Sequence, residues 1–265
     1  CCVTKSGFLP PRMIVAASAG NLAIVRDFFS QRADIEAKDG SGYTALIEAC
    51  RGGHLHVVRF LLEEAKANVE TKGRYGCTAL IWAAEFNHLD IVTYLVQVAH
   101  ADVNSRDDEH STPAHVATGH LDLVKYLMED ARANIEARDN HGQTCLLKNA
   151  QFGCLQVVRY LVEEAKADIE AKSNSGQTAL LAAASWGCAN VVEYMLETAK
   201  ADAEARCNNG LSAIGWAQNY SSCTPQRQND MISVVAYLKV HAEEENLKNL
   251  KILQRDTVKL EMLHV

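Results

Sequence analysis

The sequence is short of aromatic residues, at 6 %, and holds only 4 prolines among 265 residues. Low-complexity disordered chains carry far more proline and glycine, so that class is set aside. No apolar run approaches the ~18 residues that suggest a membrane-spanning helix. Basic charge is not in excess: the formal net charge is −7 and the isoelectric point about 5.8. A general nucleic-acid binder shows a basic face, and adhesion to an anionic membrane needs one as well, so neither partner is expected. The P-loop, G-x-S-x-G and H-E-x-x-H patterns of phosphate, acyl and zinc chemistry are also lacking.

What the sequence has is repetition. Thr44, Thr78, Thr112, Thr144, Thr178 and Ser212 open similar segments at spacings of 34, 34, 32, 34 and 34. Three further ladders run in the same register. They are Glu36, Glu70, Asn104, Glu136, Glu170, Glu204, then Lys38, Lys72, Arg106, Arg138, Lys172, Arg206, and then Asn21, His54, His88, His120, Cys154, Cys188. A shared period of this length signals stacked repeats. Each repeat starts with a turn such as Asp39-Gly40-Ser41-Gly42 and a threonine suited to capping a helix. An Ala-rich first helix follows, as at Ala182-Ala183-Ala184. A Gly-His or Gly-Cys break comes next, then a second helix with apolar residues at Leu55, Val57, Val58, Leu61 and Leu62. One such helix pair cannot bury its apolar face alone, so neighbours must stack.

Thr112-Pro113-Ala114-His115, Gly119-His120-Leu121-Asp122-Leu123-Val124 and Ala101-Asp102-Val103-Asn104, with their cognates in the other repeats, resemble the ankyrin repeat. The resemblance covers roughly residues 11–240. It implies an all-α solenoid of about seven helix-turn-helix units at 11–38, 39–72, 73–106, 107–138, 139–172, 173–206 and 207–242. Residues 1–10 read as an irregular lead-in and 243–265 as an extra C-terminal helix. The first unit lacks a T-A-L opening, as a capping repeat would. The second helix carries one extra residue, in Glu63-Glu64-Ala65-Lys66-Ala67. Basic residues such as Lys66 and Lys166, with His100, stand near the usual glycine. Unit four is two residues short, which predicts a weakly packed first helix of under two turns. Unit seven carries a polar insertion near 221–229, read as a loop.

Nine cysteines follow the repeat rather than any pairing pattern. Stacked helices lie ~8–10 Å apart, whereas a disulfide needs Cα atoms within ~7 Å. Free thiols are therefore expected, along with a reducing compartment: the cytoplasm, with the nucleus as a second location. The His and Cys ladder is one slot spread along a stack, so it cannot gather the four ligands zinc needs. No metal, cofactor or catalysis is expected.

The resemblance implies partner binding through the exposed side of the first helices, which with the turn tips makes a concave groove. On that side stand Arg51, Trp82, Glu85, Phe86, Lys148, Gln151, Phe152, Trp186, Trp216 and Tyr220. Aromatic side chains and arginine are the favoured anchors of protein interfaces. The other reading of the rings is packing on neighbouring turns. Asn149, where other units have alanine, bonds either a ligand or a neighbouring turn. The expected function is a non-enzymatic scaffold holding a partner protein or peptide. Two alternatives stay open. One is a structural or assembly subunit using the convex face and the C-terminal helix, which could also self-associate. The other is a targeting module of a larger enzyme such as a kinase or ubiquitin ligase.

Overall fold

Thr44, Thr78 and Thr178 each accept a hydrogen bond from the backbone N–H three residues on, at 3.3–3.4 Å, and a helix begins at the next residue. The hydroxyl satisfies one of the free N–H groups at the helix start. Ahead of the cap, the Asp39 carboxylate accepts the N–H groups of Ser41 and Tyr43 at 2.8 and 2.9 Å, which folds the turn that delivers the threonine. Asp139 does the same for His141 and Gln143.

The computed structural model describes residues 10–218 and 230–243. Its helices are α1 (Pro10–Ser18), α2 (Leu22–Ser30), α3 (Ala45–Arg51), α4 (Leu55–Glu63), α5 (Ala79–Glu85), α6 (Leu89–Gln97) and α7 (Pro113–Val116). They continue with α8 (Leu121–Glu129), α9 (Cys145–Gln151), α10 (Leu155–Glu163), α11 (Ala179–Trp186), α12 (Ala189–Glu197), α13 (Ala213–Gln218) and α14 (230–243). Among the described residues there is no strand. Residues 1–9 of the lead-in expected over 1–10, the insertion over 221–229 with Tyr220, and nearly all of the expected C-terminal helix lie outside the described residues; Pro10, also expected in the lead-in, begins α1.

The chain divides into two compact parts: Cys1–Leu146 with Arg159–Asp168, and Leu147–Val158 with Ile169–Val265. In the first, α1 packs on α3, α3 on α5 and α5 on α7, while α2, α4, α6 and α8 stack as a second row. Between the rows lie Ile47, Leu61, Leu80, Ile81, Ile91 and Leu95, all within 1 % of full burial. In the second, α11 packs on both α12 and α13. Its core is the alanines Ala179, Ala182, Ala183 and Ala184 against Val191, Val192 and Met195. Alanine on the first helix lets neighbouring helices approach closely, and the branched residues of the second fill the space behind.

The extra residue after the second helix widens its closing turn. The N–H of Ala65 bonds Phe60 O, and that of Ala67 reaches back to Leu61 O at 2.9 Å. The same pair of bonds recurs at Ala99 and Ala101, Ala131 and Ala133, Ala165 and Ala167, and Ala199 and Ala201. Between them Lys66, His100, Arg132, Lys166 and Lys200 take left-handed φ of 55–62°. The Lys166 ammonium folds back onto Glu163 O at 2.6 Å, a cation on the negative end of α10.

The Glu ladder and the Lys/Arg ladder hold successive repeats together through the backbone. Glu36, Glu70, Glu136 and Glu170 each accept the N–H of the residue 32 positions on, at 2.8–2.9 Å. Lys38 donates to Lys72 O and Lys72 to Arg106 O, at 2.8 and 2.7 Å.

Helix α7 is a single turn of 4 residues, as the short repeat predicts. It is not weakly packed: Pro113, Ala114 and His115 are buried. The Thr112 N–H points at His115 Nδ1, which fixes the proton on Nε2, and Nε2 donates to Gln143 O at 3.0 Å. That bond, made by a side chain the other repeats lack, ties the short helix to the next turn. In the last pair α14 takes the second-helix place. Tyr237 Oη donates to Glu197 40 residues earlier, as Tyr94 Oη donates to Glu63 31 residues earlier. The difference is the nine-residue insertion.

Candidate functional site

Phe86 stands at the C-terminus of α5, where the chain leaves the helix. Its ring stacks on Trp82, one turn back, with centroids 6.0 Å apart and planes 23° from parallel. Tyr43, from the preceding turn, meets Trp82 edge-on at 5.6 Å. Arg51, at the end of α3, places its guanidinium 5.6–5.7 Å from all three ring centroids, within cation–π range. Glu48 holds that guanidinium from beneath at 3.2 Å. Three rings, two from α5 and one from the preceding turn, thus surround one cation from α3, and Phe86 is left 44 % exposed at the outer edge.

Trp82 lies at the base of this cluster rather than on its surface. Covered by Tyr43, Arg51 and Phe86, it is 8 % exposed, and its indole Nε1–H has no hydrogen-bond partner. Beside the cluster, burial lifts the Glu85 carboxyl above its ordinary range; Arg51 opposes the lift and Asp107 adds to it.

In the second part of the chain Phe152 and Trp186 occupy the matching slots. Their centroids are 5.6 Å apart at 53°, and both rings stay open to solvent, Phe152 more so. Lys148 and Gln151, on α9, are half-buried. The Gln151 carbonyl accepts the Cys188 thiol at 3.4 Å. Trp216 is half-buried.

A family model described as ankyrin repeats (3 copies) matches residues 13–107 and 97–173, and one described as ankyrin repeat matches 175–208. The chain belongs to the ankyrin-repeat family. No curated protein matches it. Ankyrin repeats are in general protein–protein interaction modules and typically not catalytic.

Several side chains of this ankyrin array that could suggest chemistry have structural employment. His54 Nε2 bonds Ser18 O and His88 Nε2 bonds Arg51 O, so these two histidines sew their helix pairs to the end of the preceding first helix. The six described cysteines are free thiols. Burial raises Cys50, and burial followed by Asp107 pushes Cys77 up to about 12, away from the activated range of a nucleophilic thiol. Asn149 is fully buried, so it faces the interior rather than a ligand.

The sequence reading passed over Tyr43 and Tyr75. Tyr43 had a signal: it is the only aromatic in the slot before the capping residue, where the other repeats have Cys77, Ser111, Gln143, Gln177 and Leu211. Tyr75 sits at a turn tip, 57 % exposed, with left-handed φ of 58° and the Arg74 guanidinium 4.5 Å above its ring. No helical spacing marks a turn tip.

Proposed function

We propose that this ankyrin array is a non-enzymatic recognition scaffold. It seats a partner protein or peptide on the first-helix face, with Phe86 and Arg51 as anchors in the first part and Phe152 and Trp186 in the second. The observation that carries the reading is the exposure of large rings at one repeated slot: 44 % for Phe86, 56 % for Phe152 and 39 % for Trp186. Large rings recur here at one slot of the repeat, and aromatic residues dominate interface hot spots. Trp82, Tyr43 and Glu48 serve as the floor that holds Phe86 and Arg51 in place, which keeps the entropy cost of binding low. Glu85 supplies a rim in the first part, and Lys148, Gln151 and Trp216 supply one in the second. No described helix is long and apolar enough to cross a membrane. The free thiols support a reducing compartment such as the cytoplasm.

The test is affinity capture from native lysate with the chain beside a Phe86→Ala, Phe152→Ala, Trp186→Ala variant of unchanged helicity. A partner retained by the parent and lost by the variant supports the reading. Equal capture by both overturns it and moves the site to the insertion near 221–229 or the C-terminal segment.

A further inference from the structure

A stack needs polar outer faces at its two ends, because the terminal repeats have no neighbour there. The first pair, α1 and α2, does not meet that need. Ile24 and Phe28 on α2 correspond in the repeat to Val57 and Leu61 on α4, and to Ile91 and Leu95 on α6. Those four cognates have 0 % exposure, whereas Ile24 is 43 % exposed. Val15, on α1, is 67 % exposed, in the slot that Glu48 and Trp82 fill on the first-helix face. Since α3 and α4 cover the other side of this pair, the exposed residues lie on the side facing away from them. There Val15, Ala16, Ala19, Ile24 and Phe28 line an apolar groove of about 430 Å³. At Ile24 and Phe28 the face keeps apolar residues whose cognates are buried in the following pairs, and among the described residues no repeat lies against it.

A second observation comes from the sequence. Lys5-Ser6-Gly7 matches Lys38-Asp39-Gly40 and Lys172-Ser173-Asn174, and Lys5 stands 33 residues before Lys38. The basic ladder thus extends one rung further back. In the described pairs each rung follows a second helix: Lys38 follows α2 and Lys72 follows α4.

We propose that the outer face of α1 and α2 is a stacking surface. Its occupant is a further ankyrin helix pair of the same polypeptide, directly N-terminal to Cys1. The groove fits the chemistry of such a pair, an Ala-rich first helix and a branched-apolar second one, better than it fits water.

The experiment is mass-spectrometric mapping of the N-terminus of the protein isolated from the cells that make it. The expected result is at least ~30 residues ahead of Cys1, about one repeat, carrying a T-x-L opening and a Gly-His break at ankyrin spacing. With those residues attached, amide exchange in α1 and α2 slows at least tenfold relative to the chain beginning at Cys1, and Ile24→Asp abolishes the slowing. A native N-terminus at Cys1 overturns the proposal, as does an extension that leaves α1 and α2 exchange unchanged. With the N-terminus at Cys1, two other occupants are told apart. Removal of residues 1–9 increases binding of an apolar dye if that segment covers the face. A dimer in sedimentation that Ile24→Asp dissolves points to a second copy.

Discussion

The Glu70 carboxylate accepts the backbone N–H of Asp102 at 2.8 Å, across 32 residues of sequence. The bond joins the connecting segments of successive repeats, and Glu36, Glu136 and Glu170 repeat it. Loss of one such charge-assisted bond, with the N–H left to water, costs about 1–2 kcal/mol. Glu70→Ala therefore lowers the unfolding free energy read by urea denaturation by that amount. Glu70→Gln, which keeps an acceptor oxygen, lowers it by less than half as much. Equal losses for the two would show that the carboxylate does not act through this bond.

Lys66 sits in left-handed backbone at φ 57°. A side chain there costs ~1–2 kcal/mol, part of which glycine returns through its freer unfolded chain. Lys66→Gly is expected to stabilise by about 0.5–1 kcal/mol in chemical denaturation. Lys166→Gly gains less, because it also gives up the ammonium bond to Glu163 O.

Glu85 has its carboxyl raised in the folded protein, chiefly by burial. A raised folded value means that folding disfavours the ionised form. The penalty is absent below the unfolded value of about 4.3 and grows as pH rises through the folded value. Glu85→Gln is therefore more stable than the parent at pH 7, by less than ~1 kcal/mol because solvent screens this largely exposed group. The difference vanishes near pH 4. Denaturation at the two pH values checks both signs.

Cys50 is fully buried, and burial raises its thiol. It is expected to resist iodoacetamide at pH 8 in the native chain and to react at an ordinary thiol rate in denaturant, as peptide mapping would read. Native labelling of Cys50 at the rate of a model thiol would contradict its placement in the core of α3.

The fold was legible because repetition multiplies a weak local signal. A threonine before a helical stretch is a modest helix cue at Thr44 alone and a strong one at five registered positions, with Ser212 at a sixth. The shortened α7 was legible as a count of residues. Its tight packing was not, since that depends on where His115 Nε2 finds Gln143 O, a contact made across a turn. At the site, helical spacing placed Phe86, Phe152 and Trp186 on one face, and all three rings are exposed. The same spacing put Trp82 beside them, yet Tyr43 and Arg51 from the preceding repeat bury it. Periodicity gives the face of a helix; it does not say what a neighbouring repeat lays over that face.

The role of this face rests on whether the exposed rings carry partner affinity. The direct measurement is calorimetric titration of the captured partner into the parent chain, Phe86→Ala, Phe152→Ala and the control Val98→Ala, an apolar residue 55 % exposed at the end of α6. The account predicts at least tenfold weaker binding for each Phe variant, about 1.4 kcal/mol or more, and no change for Val98→Ala. Parent-like affinity in both Phe variants would contradict it.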